Sequence, residues 1–367
     1  MKMKRIRMRA AAAVVAAALF LSGGAKAAPA VSAESAVLLD AATGEVLFAR
    51  SPDRRSLIAS TTKIMTGLLA AEAGGLDRYV SVPPEAAGIE GSSLYLKAGE
   101  RVSVRELLYG MMLQSGNDAA AALAIRTAGS VPAFVEKMNG RAAQLGLRGT
   151  HFANPNGLDD PENYSTARDL ALLARAAMEN ETFRTVVSTR SIRVGARSLS
   201  NHNKLLWRYD GAEGVKTGFT KKAGRVLVSA AERGGRRLIA VTIRAPDDWN
   251  DHAAMLDYGF SAFETRTLAR EGDLLGGAPV LGGDREAVRF AAAGTAEAML
   301  RADEKPLVRI CAPRVLFAPV TAGETVGWAE FRVGGAVLSR VPLVCLDACG
   351  AREEKKKKNL ISRILGG

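Results

Sequence analysis

Three short groupings of residues in this chain have types and spacings that suit joint chemistry. Ser60-Thr61-Thr62-Lys63 sets a hydroxyl and an amine three residues apart, just ahead of Ile64, Met65, Leu68, Leu69 and Ala70, which recur as one face of a helix. At a helix start, residues i and i+3 lie on one face within reach of each other. A serine needs an adjacent base to become a nucleophile, and a lysine serves only after its ammonium loses a proton. Burial and a nearby cation both favour that loss. The competing reading is a helix cap followed by a solvated lysine. Ser115-Gly116-Asn117 falls between two helical stretches. It offers a hydroxyl for proton relay and an amide to hold a substrate carbonyl, although Ser115 with Asp118 also fits a helix-capping box. Lys216-Thr217-Gly218, followed by Phe219, falls in a strand pattern. A cation, a hydroxyl and a residue without a side chain on a strand edge suit an extended peptide ending in carboxylate. The alternative there is a glycine-interrupted strand with a solvated lysine.

Those groups need elements to hold them. Ala36–Leu39 and Glu45–Ala49 flank Asp40-Ala41-Ala42-Thr43-Gly44, a hairpin signal. Helical spacing runs from Ile64, over Val104–Leu113, Ala119–Ile125, Val135–Leu145 and Thr166–Met178; Thr166 to Asp169 is a capping pattern. Val215–Thr220, Arg225–Ala231 and Arg237–Ile243 predict strands, and a helix follows around Asp251–Tyr258. The order predicts an α+β domain: helices segregated against one antiparallel sheet whose N- and C-terminal strands lie together. After about Arg266 come short apolar runs broken by Gly and Pro, among them Leu307–Cys311, Val315–Phe317, Val326–Arg332, Ala336–Leu338 and Leu343–Leu346. Their spacing predicts a small, non-catalytic β-sandwich.

S-x-x-K, S-x-N and K-T-G in this order form the set of the penicillin-binding proteins and serine β-lactamases. The likeness goes further. Ile58 to Thr66, Thr150 to Leu158, Tyr164 to Asp169, Asn203 to Leu206, Gly214 to Thr220 and Leu343-Val344 resemble segments of the low-molecular-mass penicillin-binding proteins that are serine D-alanyl-D-alanine carboxypeptidases. The resemblance spans about residues 33 to 348. It implies that Ser60 is the acylated nucleophile, Lys63 its base and Ser115 the relay to the leaving D-alanine. Asn117 would hold the substrate amide, and Lys216 and Thr217 its carboxylate. Gly218 would let the peptide approach, and the N–H groups of Ser60 and Phe219 would form the oxyanion hole. It implies β-lactams as acylating inhibitors, peptidoglycan stem peptides as substrate, and no cofactor or metal. Some relatives carry an arginine in a longer segment after the third motif. Here Ala245 to His252 is short, which leaves an arginine contribution to carboxylate binding open.

Composition fits an exported enzyme. The 367 residues are 48% hydrophobic and 24% charged, enough for a sizeable core and more than one domain. The net charge of +12 lies at the ends: residues 1–27 carry +6 and residues 352–367 carry +4, leaving +2 for the body. That distribution argues against a nucleic-acid partner and for targeting and surface attachment. A basic stretch, twelve apolar residues from Ala10 to Leu21, and Ala25-Lys26-Ala27 predict a signal peptide over 1–27 and an extracytoplasmic location. The expected layout continues with a catalytic domain over 28–265, a β domain over 266–350 and a basic amphipathic tail over 351–367, suited to peripheral membrane contact. Three cysteines, Cys311, Cys345 and Cys349, leave the disulfide state open.

Other chemistries fit less well. A class A β-lactamase needs a deacylating glutamate, and Glu162-Asn163-Tyr164-Ser165-Thr166 does not supply its pattern. His151, His202 and His252 are too scattered for a zinc dipeptidase and are expected to be structural or surface residues. No G-x-S-x-G elbow marks a Ser-His-Asp hydrolase. A catalytically dead wall-binding protein would not need every motif residue intact.

Overall fold

The computed structural model describes residues 27–353, so the signal-like segment and most of the basic tail lie outside the described residues. Among the described residues the chain divides into two compact units, residues 27–262 and residues 263–353.

The first unit is built on a five-stranded antiparallel sheet. Its strands are β1 (Ser35–Asp40), β2 (Val46–Arg50), β3 (Ala212–Thr220), β4 (Gly224–Arg233) and β5 (Arg236–Ile243), in the order β2-β1-β5-β4-β3. Every residue of β1 is buried, as its unbroken apolar run implies. Asp40 closes the β1–β2 turn: its Oδ1 accepts from the backbone N–H of Ala42 and Thr43, each at 3.1 Å. β1 pairs with β5 from Ser35–Ile243 to Asp40–Leu238, which brings the first and last strands together as expected. β3, which carries the third motif, is left at the edge.

One face of the sheet meets the helices. Val37 and Leu39 of β1, Val228 of β4, and Ile239 and Val241 of β5 join one apolar cluster with them. The helices are α1 (Lys63–Glu72), α2 (Val104–Leu113), α3 (Asn117–Ala128), α4 (Val131–Gln144), α5 (Ala167–Glu179) and α6 (Glu181–Ser188). Nine of the ten residues of α1 are buried, so it runs through the centre of this layer rather than over its surface. Thr166 caps α5 through the N–H of Asp169 at 3.0 Å, as the sequence pattern indicates. The second helix of the α5–α6 pair is not anticipated by the sequence reading. It restarts at once because Asn180 caps it through the N–H of Phe183.

The other face is covered by a terminal helix, α7 (Asp248–Ala262), so helices flank the sheet on both sides. Gly259 lets α7 approach closely: a Cβ there would lie 2.6 Å from Leu238 and 2.8 Å from Leu38. His252 of α7 is fully buried between the Ser229 and Thr242 hydroxyls, at 2.6 and 3.0 Å.

The second unit is all-β. A six-stranded sheet and the antiparallel pair Phe263–Ala269 with Ala296–Arg301 contribute to one apolar cluster. Two runs read as separate from sequence, Ala336–Leu338 and Leu343–Leu346, belong to one strand, Ala336–Cys345, which ends one residue before Leu346. Pro342 disguises it, sitting opposite Trp328. Gly276 and Gly277 hide the strand Leu274–Leu281. A Cβ at Gly277 would lie 2.7 Å from the Val288 carbonyl of the paired strand, so Gly277 serves pairing rather than a turn. Cys311, Cys345 and Cys349 are free thiols.

Candidate active site

Ser60 lies in a single 3-10 turn, Ala59–Thr62, that leads into α1. Thr62, not Ser60, is the cap residue, and its side chain makes no capping bond. The turn is held from two sides. Ala59 has φ +46°, and Gly157 packs so closely that a Cβ there would meet the Ala59 carbonyl at 2.0 Å. Gly218 of β3 presses on the same turn: a Cβ there would lie 3.1–3.2 Å from the Ile58 carbonyl and the amides of Ser60 and Thr61. The third motif thus meets the first through its residue without a side chain.

Lys63 is fully buried, which excludes the solvated-lysine alternative. Its Nζ lies 3.0 Å from Ser60 Oγ and 2.7 Å from Asn117 Oδ1, and it donates to the Asn156 carbonyl as well. Burial holds its proton affinity well below that of a free lysine; the Lys216 charge pushes the same way, and Asp118 opposes both.

Ser115 has φ +63° and sits at the cleft wall. The capping-box alternative fails, because Gly116 occupies the cap position of α3 with no side-chain cap. Asp118 instead accepts from Ser93 Oγ at 2.7 Å and from the amides of Leu94 and Leu96 at 3.0 Å. Asn117 ties down the same loop by donating to the Glu90 carbonyl at 2.6 Å. The second motif is therefore both a site element and the anchor of the loop beside it.

Lys216 is 1% exposed, and its Nζ donates to the Thr217 carbonyl at 3.0 Å. Burial lowers its pKa to about 7. Phe219, one residue past the motif, is 66% exposed.

Ser60, Ser115, Thr217, Gly218 and Phe219 line one cleft of about 370 Å³. Lys63, Asn117 and Lys216 lie buried. The structure thus brings together all eight residues singled out in the sequence. A hydroxyl held by a desolvated amine, a second hydroxyl and a buried cation suit acyl transfer to serine.

Sequence reasoning missed part of the wall. His202, expected to be structural or superficial, lines the cleft, and burial, together with the Lys216 charge, depresses its pKa. Its amide donates to the Leu113 carbonyl, which fixes it at the end of α2. Arg225, Asp248 and Trp249 form a further stretch of wall. Strand register carried a usable signal for Arg225, which lies opposite Phe219. Nothing in the sequence marks the Asn156 carbonyl, since a backbone atom leaves no composition signal. Among the described residues no group of three or more His, Cys, Asp or Glu is arranged to hold a metal ion.

Comparison with known proteins agrees with this geometry. Residues 23–247 match the D-alanyl-D-alanine carboxypeptidase family (Peptidase_S11), and residues 263–350 match the penicillin-binding protein 5 C-terminal domain. The chain is 33% identical to D-alanyl-D-alanine carboxypeptidase DacF of Bacillus subtilis over 90% of its own length and 87% of the relative's. Among solved structures, penicillin-binding protein 5 from Haemophilus influenzae superposes with a TM-score of 0.73 at 30% identity, over 89% of this chain and 99% of the other. The Streptomyces K15 DD-transpeptidase superposes with a TM-score of 0.61 at 37% identity, over 64% of this chain and all of its own. The chain belongs to the D-alanyl-D-alanine carboxypeptidase family of penicillin-binding proteins, whose members work through a serine acyl-enzyme.

Proposed function

We propose that this protein removes the terminal D-alanine from peptidoglycan stem pentapeptides through an acyl-enzyme on Ser60, and that penicillin acylates the same hydroxyl. The carrying observation is the set of contacts around Lys63 Nζ. A neutral amine has two N–H donors and one lone pair. The Asn117 and Asn156 oxygens take the two donors, which leaves the lone pair for the Ser60 proton.

In the forward step Ser60 Oγ attacks the carbonyl of the penultimate D-alanine, and its proton passes to Lys63. The oxyanion is held by the N–H groups of Ser60 and Phe219; losing one such donor costs about 10²- to 10³-fold in rate. Ser115 relays the proton to the departing nitrogen, the C–N bond breaks and D-alanine leaves. Water then hydrolyses the ester. Asn117 holds the substrate amide. Lys216 and Thr217 hold the terminal carboxylate, and Gly218 gives the peptide room beside the edge strand.

The test is D-alanine release from a synthetic pentapeptide by the wild-type protein and by Ser60→Ala. Turnover by the wild type and none by the variant supports the reading; equal turnover by both rules it out.

The signal-like pattern of residues 1–27 supports export to the outer face of the cytoplasmic membrane or the wall, and loss of that segment from the exported protein checks it. The lysines and apolar residues of 351–367 support weak peripheral attachment to anionic lipid. Truncation at Gly350 should then abolish sedimentation with anionic vesicles at low salt and leave D-alanine release unchanged.

A further inference from the structure

Three strands of the second unit, Leu307–Cys311, Thr325–Val333 and Ala336–Cys345, lie side by side in antiparallel register. Arg309 pairs with Glu330, and Glu330 with Arg340; one step along, Cys311 pairs with Trp328, and Trp328 with Pro342. Residues directly opposite one another share a face of a sheet, as do residues two apart on one strand. Arg309, Trp328, Glu330 and Arg340 therefore stand on one side. The other side, which carries Ala329, Phe331 and Val341, is buried in the apolar core of this unit.

Glu330 organises the outer face. Its side chain is only 7% exposed. Oε1 accepts from Trp328 Nε1 at 3.3 Å and from Arg340 Nε at 3.0 Å, and Oε2 accepts from Arg332 Nη1 at 2.8 Å. The bond to Trp328 fixes the edge of the indole, while the residue stays 45% exposed. Arg340 is exposed beside it. Arg309 is also exposed, and its guanidinium makes no hydrogen bond or ion pair among the described residues. Three arginines thus share this face with one carboxylate whose oxygens are already taken, next to a flat aromatic surface held in place.

That combination suits sugar rings that carry acid groups. A sugar ring offers a face of C–H groups that packs on an indole, and the polar rim of the ring stays wet. A guanidinium fork matches the two oxygens of a carboxylate. Leu307, two residues before Arg309 and 75% exposed, adds an apolar contact of the size of an acetamido methyl. One tryptophan and one leucine fall short of the broad apolar face with which a surface lies in a bilayer.

We propose that this outer face binds the glycan strand of peptidoglycan, with Trp328 packed on a sugar ring and Arg309 and Arg340 paired with carboxylates of the attached stem peptides. The choice of polymer rests on the carboxypeptidase reading above; the recognition chemistry is that of the face itself. One unit then holds the polymer that the other trims, which raises the effective concentration of stem peptides at Ser60.

The experiment sediments the full-length chain carrying Ser60→Ala with purified insoluble peptidoglycan, so that acylation does not contribute. The basic tail is common to every variant compared. Trp328→Ala should weaken binding by about five- to tenfold, the worth of one aromatic contact. Arg309→Gln should weaken it severalfold, but only on peptidoglycan that retains its stem peptides; on glycan stripped of them by an amidase it should match the parent, whereas Trp328→Ala should still lose affinity. With Ser60 intact, Trp328→Ala should release D-alanine more slowly from insoluble peptidoglycan and at the wild-type rate from a soluble pentapeptide. Scanning calorimetry checks that Trp328→Ala is folded, and Arg309→Gln removes no contact within the described chain. Parental binding by both variants would overturn the proposal, as would loss of affinity for anionic vesicles in place of peptidoglycan. No release from the soluble pentapeptide by the wild type would instead refute the carboxypeptidase reading, with the sedimentation result still deciding whether this face holds glycan.

Discussion

Burial, and then the charge of Lys216 on the neighbouring edge strand, depress the proton affinity of Lys63, and both amines are fully buried. The proposed mechanism needs the first neutral and the second charged. In the free enzyme kcat/KM should therefore rise with pH through the lowered pKa of Lys63 and fall as Lys216 loses its proton from about pH 7. Lys216→Met removes the positive neighbour, so the acid limb should move to higher pH while KM for the pentapeptide rises. An acid limb unmoved by this substitution would show that the two lysines do not communicate.

Both lysines also cost stability. Their folded pKa values are depressed, so between the folded and unfolded values the unfolded chain binds more protons and stability rises with pH. At pH 7 that stability is largely missing. Lys216→Met should melt at a higher temperature than wild type near neutrality, by scanning calorimetry, with the advantage shrinking toward pH 10. A lower melting temperature would contradict a destabilising buried cation.

Lys63→Arg tests the base directly. Guanidinium stays protonated and is bulkier than the amine that fits between Asn117 and Asn156. D-Alanine release should fall by about 10²- to 10⁴-fold, the range for loss of a general base. Stopped assays with a high enzyme concentration would measure it. Turnover within tenfold of wild type would exclude Lys63 as the base.

Gly157→Ala should damage the nucleophile from a distance. Its φ is +86°, and the added Cβ would meet the Ala59 carbonyl at 2.0 Å. The turn bearing Ser60 must shift, and a displacement near 1 Å at a reacting group costs about a hundredfold. Second-order acylation by a labelled penicillin should slow by about that factor. An unchanged rate would mean that Gly157 does not set the position of Ser60.

His252 predicts an acid sensitivity unrelated to catalysis. Burial between the Ser229 and Thr242 hydroxyls lowers its pKa to about 3 from the ordinary 6.5. The stability due to its neutral form is complete above 6.5 and is lost as pH falls toward 3. His252→Gln should flatten the melting temperature across that window. Parallel acid curves for variant and wild type would remove His252 from the account.

How much of this was legible in the sequence depended on the kind of signal. The hairpin at Asp40, the helix at Val104–Leu113 and the Thr166 cap are local, and local patterning exposed them. Ser60, Lys63, Ser115 and Lys216 were legible because few arrangements need those residue types together. What escaped depended on register or backbone. Arg225 enters the cleft by facing Phe219 across two strands. The Asn156 carbonyl and the Gly157 contact involve atoms or absences that composition does not report. The strand through Pro342 was hidden because proline normally marks a break.

The central claim is that Ser60 is the acylated nucleophile. Penicillin should add its mass to the tryptic peptide Ser56–Lys63, and fragmentation should place the adduct on Ser60. Ser60→Ala should carry no adduct, with wild-type melting behaviour as the check on folding. An adduct on Ser115 with Ser60 unmodified, or full labelling of Ser60→Ala, would contradict the account.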